Sequence, residues 1–339
     1  MHNQVVLGID GGGTKTQAAI ADLAGNILGS GLGGPSNVQD AGVAAAQANI
    51  SEAVKAACQN AGLVQAEFAS AFLGMAGVVS ERDRTAILDI ALNLKLAQPA
   101  AIGIDHDCRI ALAGGLSGRP GIVLITGTGS SCYGRTATGQ AWFTGGWGYL
   151  ISNEGSSYWL GLQAMRTAVM VYDGRIQSSL LLESVLRHFG LSEVTELVPR
   201  IYIPAMSRSE VASLAPLVIN AAKENDPTAL NLISQSAREL AECVLAVSTH
   251  LALSGPTGTD PSEVVLIGGL LKAGEIFTTP LRHAILASLP QARICMAELP
   301  PVAGACLLAL QGLGSSIDSK TVQTMQHSIS RLGQASSSG

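Results

Sequence analysis

The chain has 339 residues, 47% of them hydrophobic and 13% charged, and its formal net charge at pH 7 is −5. That length suits two domains of about 100 to 200 residues each, and so apolar a composition excludes disorder for most of it. The acidic balance, without a basic cluster, speaks against nucleic acid as a partner; a start at residues 1–4 with no basic segment, and no apolar run of about 18 residues, read as a cytoplasmic protein that does not cross a membrane.

In chain order, an apolar run at residues 5–9 ends in Asp10, Gly11, Gly12, Gly13, Thr14 and Lys15, then resumes at 17–22. This pattern predicts a β-hairpin whose turn carries chemistry. Consecutive glycines have no Cβ to hold off a ligand, so successive N–H groups can cradle an anion, phosphate above all. Asp10 would be repelled by that anion unless a cation lay between them. Mg²⁺, bound through water and bridging Asp10 to a polyphosphate, is the economical explanation; a plain glycine turn with a capping Asp is the alternative.

A third short strand is expected at 27–31, and a Gly/Pro loop at 33–38 presents Asn37. An alanine-rich helix should run from an Asp40 cap to Ala61, closed by Gly62. A buried strand at 68–77, ending at Gly77, leads to a helix opened by residues 80–83. The strand 100–104 ends at Asp105, His106 and Asp107, and a helix follows at 108–114. The order β-β-β-α-β-α-β-α makes a compact first domain.

Then the pattern restarts. The apolar run 120–125 feeds Thr126, Gly127, Thr128, Gly129 and Ser130, and a second strand follows. Two halves that each open with strand, phosphate-compatible turn and strand suggest an internal duplication. A glycine loop at 144–148, a helix entered at 153–161, a nearly all-helical stretch from 177 to 250 and a loop at 254–258 come next. A strand from 263 runs into a turn at Gly268 and Gly269; a helix to 285, a strand at 293–296 and a helix at 302–310 complete the second domain, and residues 335–339 read as disordered. Six cysteines, Cys58, Cys108, Cys132, Cys243, Cys295 and Cys306, lack any Cys-x-x-Cys pair and read as thiols of a reducing compartment rather than zinc or iron–sulfur ligands.

Taken together, the Asp10–Thr14 turn, the Gly127–Ser130 turn, the Gly145-Gly-Trp-Gly148 loop with Glu154-Gly155-Ser156, and the Gly268-Gly269 turn resemble the N-acetylglucosamine kinase-like (BadF/BadG/BcrA/BcrD ATPase) branch of the actin, heat-shock chaperone and sugar kinase superfamily. The resemblance runs over roughly residues 4 to 312. It implies an α/β fold of two actin-like, ribonuclease H-like duplicated lobes around an interlobe cleft: a small lobe at 1–118, a large one at 119–315, and a tail helix at 316–332 packed on the first lobe. It implies ATP with Mg²⁺ held by Asp10 through water, Gly11, Gly12, Gly13 and Thr14 with Lys15 on the β- and γ-phosphates, and Gly127, Thr128, Gly129 and Ser130 as a second phosphate loop. Gly268 and Gly269 would flank the nucleoside, while Asn37, Gly77, Asp107, Gly146 and Asn153 would face an amino sugar phosphorylated on its 6-hydroxyl. Family members are often dimers, so a homodimer is expected.

Phosphoryl transfer to an alcohol needs a carboxylate to orient the hydroxyl and take its proton. Asp105 and Asp107 both end the right strand; Asp107, which opens a helix, stands at the distance from the Gly127 turn that fits the family and is the expected base. The chain departs from the family at Asn153, where the usual Gly-Asp-Glu-Gly-Ser reads Ser152-Asn153-Glu154-Gly155-Ser156. An amide donates where a carboxylate cannot, which points to an altered preference among amino sugars or to weaker sugar binding rather than to loss of phosphate chemistry. Two rival readings are an ATPase that activates a dehydratase, which would need a cysteine-bound cluster, and a sugar sensor without turnover.

Overall fold

The computed structural model describes residues 5–63, 68–253 and 262–337, so the expected loop at 254–258 and residues 338–339 of the expected disordered end lie outside the described residues. The chain divides into two compact units, residues 1–120 with 296–339, and residues 121–295.

In the first unit, strands β1 (Val5–Gly11), β2 (Thr16–Asp22), β3 (Ile27–Gly33), β4 (Ser70–Met75) and β5 (Ile102–His106) form one sheet in the order β3-β2-β1-β4-β5. The first three make an antiparallel meander; β4 and β5 add in parallel. Leu7, Ile9, Ile20 and Leu73 are fully buried in its core. Helices α1 (Val38–Ala41), α2 (Val43–Asn60), α3 (Glu81–Asn93) and α4 (Asp107–Gly115) connect the strands. The helix expected to start at Asp40 starts later: Asn37 caps the single turn α1, and Gly42, at φ +79°, separates it from α2.

The second unit repeats the topology. Its strands β6 (Gly121–Thr126), β7 (Ser130–Arg135), β8 (Ala141–Gly145), β9 (Glu263–Ile267) and β10 (Arg293–Met296) run in the order β10-β9-β6-β7-β8, again a meander followed by parallel addition. Helices α5 (Ser157–Tyr172), α6 (Leu181–Phe189), α7 (Leu197–Tyr202), α8 (Arg208–Ala212), α9 (Ala215–Lys223), α10 (Pro227–His250) and α11 (Glu275–Ser288) complete it. Two of these helices have a clear side-chain start: Ser207 caps the short α8 with Glu210 in a reciprocal box, and Asp226 caps the long α10 ahead of Pro227.

Residues 296–315 depart from the expected boundary at 315, because they belong to the first unit. Helix α12 (Pro301–Gly312) packs on β1 and α4 of the first unit. The reason is close approach: a Cβ on Gly8 would lie 2.6 Å from the Cys306 nitrogen, and one on Gly304 would lie 2.1 Å from the Ile110 carbonyl oxygen. Helix α13 (Ser319–Ser337) packs on β3 of the same unit, where Ser328 Oγ accepts the Ile27 N–H at 2.9 Å. Residues 335–337, read as disordered from the sequence, belong to that helix.

Candidate active site

The structure gathers the expected site residues in two sets, one per unit. In the first unit the β1–β2 ladder ends at Gly11 opposite Thr16, and Gly12 N–H closes the turn on the Lys15 carbonyl at 2.9 Å. Ser36 and Asn37 N–H groups both donate to the Gly12 carbonyl, at 3.0 and 3.3 Å, and Thr16 Oγ1 donates to Gly34 O at 2.6 Å. The following loop therefore pins the turn from behind. Packing behind the turn also asks for glycine at position 11, because a Cβ there would run into Met75 Cε and sit 2.6 Å from Ser36 Oγ. Gly13, Thr14 and Lys15 are exposed, and a Cβ on Gly13 would meet only Asp40 Oδ2, at an ordinary 3.7 Å.

Asn37 and Gly77 come together: at φ +84°, Gly77 is where a Cβ would stand 2.6 Å from Asn37 Oδ1. The Asn37 side chain already has internal work, accepting Gln39 N–H at 3.0 Å and donating to Asp40 at 2.9 Å.

At the end of β5 the two candidate carboxylates differ. Asp105 is ion-paired with Arg84 at 3.6 Å and accepts the His106 N–H at 2.8 Å. Asp107 is the first residue of α4, not its cap; that place belongs to His106, whose ring accepts the Cys108 N–H at 3.2 Å. His106 Nδ1 also lies 2.6 Å from Asp107 Oδ1, so the imidazole is the close neighbour of this buried oxygen. The Asp107 side chain as a whole is 30% exposed, which leaves the carboxyl group approachable. Burial pushes the Asp107 carboxyl up, but the His106 ring and the start of α4 outweigh it and hold it below the usual carboxylate range.

Asp10 shows the opposite balance. Its carboxyl is pushed up to about 6, first by burial and then by the charge of Asp107, with Lys15 pulling the other way. A half-buried carboxylate that another anion destabilises fits a divalent cation held through water, because the cation would restore ordinary ionisation.

In the second unit the turn between β6 and β7 is clamped by the start of α5. Ser157 N–H donates to the Gly127 carbonyl at 2.9 Å and Tyr158 N–H to the Thr128 carbonyl at 3.1 Å, while Ser156 Oγ caps the helix. The turn spends some of its own donors as well: Gly127 N–H bonds to Gly129 O at 2.8 Å, Ser130 N–H to Asn153 Oδ1 at 3.1 Å, and Ser130 Oγ to Glu154 O at 2.7 Å. Thr128 and Gly129 hold the N–H groups that could still face an anion. Thr126 Oγ1 and Asn153 Nδ2 are buried there without a hydrogen-bond partner. Gly268 adjoins this turn and admits no side chain, since at φ +131° a Cβ would fall 1.9 Å from Thr126 O; Gly269 has open space. Gly146, at φ +70°, packs against Phe143 and Ser131. Of the aromatics, Tyr158 and Trp159 pack on the core and Trp147 is 62% exposed, edge-on to Phe143.

Sequence reasoning picked out His106 as a structural neighbour of Asp107 but missed two residues: Ser36, which backs the first turn, and Arg208. A Cβ on Gly129 would lie 2.5 Å from Arg208 Nη2 and 2.7 Å from Asn153 Oδ1. The box Ser207-Arg208-Ser209-Glu210 is legible as a helix start, but nothing local says that its arginine lies against a turn some eighty residues earlier.

The chain is 30% identical over 306 residues to the N-acetylmuramic acid/N-acetylglucosamine kinase of Clostridium acetobutylicum, covering 90% of this chain and 97% of that one. It is 28% identical to the N-acetyl-D-glucosamine kinase of Dictyostelium discoideum, over 91% of this chain and 99% of that protein. Among solved structures, a candidate N-acetylglucosamine kinase of Chromobacterium violaceum superposes with a TM-score of 0.71 at 29% identity, covering 91% of this chain and 99% of the other. The sequence pattern of the BadF/BadG/BcrA/BcrD ATPase family matches residues 7–309. With that match spanning nearly the whole chain, and the actin-like α/β fold of two duplicated five-stranded sheets, the protein belongs to the BadF/BadG/BcrA/BcrD ATPase family.

Proposed function

We propose that the protein is an ATP-dependent sugar kinase that phosphorylates an amino sugar, N-acetylglucosamine or glucosamine, on its 6-hydroxyl, with Asp107 as general base. The observation that carries the reading is the state of Asp107: a carboxylate at the end of β5, held ionised 2.6 Å from the His106 ring and still partly exposed. A carboxylate so held orients a sugar hydroxyl and takes its proton as the bond to phosphorus forms, late enough in a loose transition state that a low pKa is no handicap. The relatives named above support an amino sugar as the acceptor.

In this reading Gly11, Gly12, Gly13, Thr14 and Lys15 hold the terminal phosphates, as do Gly127, Thr128, Gly129 and Ser130. Gly268 and Gly269 flank the nucleoside, and Asn37, Gly77, Gly146 and Asn153 contact the sugar. The unpaired Asn153 Nδ2 favours this, since a buried donor without an acceptor costs about 1–3 kcal/mol that a sugar oxygen would recover. Mg²⁺, held through water at Asp10, would neutralise charge on the phosphates. A homodimer in the cytoplasm belongs to the same proposal and rests on the family resemblance; sedimentation velocity and cell fractionation test it.

The chemistry is tested by incubating the protein with ATP, Mg²⁺ and each sugar and locating the phosphate by ³¹P–¹H correlation. The expected product is the amino sugar 6-phosphate with ADP. Phosphate on another oxygen, or inorganic phosphate alone, overturns the assignment.

A further inference from the structure

We propose that Arg208 is a further phosphate-binding residue, its guanidinium supplying the positive charge that the Gly127–Ser130 turn lacks. The inference rests on the kinase reading and adds to it a residue that none of the sequence motifs contains.

Two features of the turn call for such a residue. Gly127 and Ser130 have already spent their N–H groups inside the protein, at 2.8 and 3.1 Å, so the turn offers a polyphosphate few donors. It also carries no charged side chain, and neutral N–H groups alone hold a multiply charged anion weakly. Arg208 meets both needs. Its Nη2 lies so near Gly129 that any side chain at that position would run into it, and the glycine leaves the guanidinium room to lie along the turn.

Among the described residues Arg208 also has no ion pair, which distinguishes it from its neighbours in the unit. Arg200 is paired with Glu210 and stacked over Phe189, and Arg175 is paired with Asp173. Arg208 is exposed and, among the described residues, has no carboxylate within ion-pair distance. An arginine aimed at a glycine turn, without an acid of its own, has the planar fork that phosphate oxygens match.

The test measures binding of ATP, ADP and adenosine, each with Mg²⁺, to the full chain by calorimetry, in wild type, Arg208→Ala and Arg208→Lys. Losing one charge-assisted contact should weaken ATP and ADP by about 10- to 100-fold and leave adenosine unchanged, with Lys restoring part of the loss. The wild-type dependence of ATP affinity on salt should flatten in Arg208→Ala. A purely structural role would weaken all three ligands together. Equal weakening of adenosine, or ATP binding as tight as wild type in a folded Arg208→Ala protein, overturns the proposal while leaving the kinase reading intact. Failure of the wild-type protein to bind ATP overturns both. Should Arg208→Ala not fold, Arg208→Gln keeps an unbranched polar stem without the charge and decides by the same contrast.

Discussion

His106 Nδ1 and Asp107 Oδ1 lie 2.6 Å apart at the junction of β5 and α4, an ionic pair made by adjacent residues of which only the first caps the helix. Asp107 is thereby left free of a capping role. Asp107→Asn should leave the fold and ATP binding in place and lower kcat by about 10² to 10⁴, the usual share of a general base. Steady-state kinetics with calorimetry of ATP check this; near-wild-type turnover removes Asp107 from the chemistry.

Asn153 uses its oxygen on Ser130 and leaves its nitrogen unpaired. Asn153→Asp keeps the acceptor for Ser130 N–H and deletes the donor, so it should retain the fold and shift the ratio of kcat/KM between glucosamine and N-acetylglucosamine. Identical ratios in the two proteins would mean that the amide does not read the sugar.

For Asp10 the sign of the pH effect is set by a folded-state pKa of about 6, above its ordinary value of 3.8. The folded chain holds that proton more tightly than the unfolded one, so the favourable contribution is complete below the ordinary value and is lost as pH rises through about 6. Without Mg²⁺, Asp10→Asn should therefore melt above wild type at pH 7.5 and together with it near pH 4. Added Mg²⁺ should raise the wild-type Tm and not the variant's. A variant that melts lower at pH 7.5 contradicts the assignment.

Asp226 has the opposite sign. Burial raises its carboxyl, but the N–H groups of Ala229 and Leu180, at 2.8 and 2.7 Å, hold it below the ordinary range. Its contribution is present above the ordinary carboxylate pKa and is lost as pH falls through the folded value. Asp226→Ala should cost roughly 2 to 3 kcal/mol at pH 7, from a lost cap and an orphaned Leu180 N–H, and the difference should shrink toward pH 3 in urea unfolding.

Much of this was legible in the sequence because the signals are local. The Asp10–Lys15 and Thr126–Ser130 turns each sit between apolar runs with the period of a strand, and the repeat of that pattern gave the two sheets their common order. What escaped depends on approach across many residues. Met75 packs where a Cβ on Gly11 would stand; Gly8 and Gly304 admit α12 onto the first unit; Asp40 looked like a cap because Gly42's break in the helix has no hydrophobic signature. His106 displaced Asp107 as the cap because an imidazole nitrogen can accept an N–H as a carboxylate does, a substitution that cap preferences do not anticipate.

The most direct measurement is ADP release, coupled to NADH oxidation, for wild type and Asp107→Asn across glucosamine, N-acetylglucosamine, N-acetylmannosamine, N-acetylmuramic acid and glucose. An amino sugar should stimulate release by the wild type and fail to do so for the variant. Release indifferent to every sugar, or equal stimulation of the two proteins, would contradict the account.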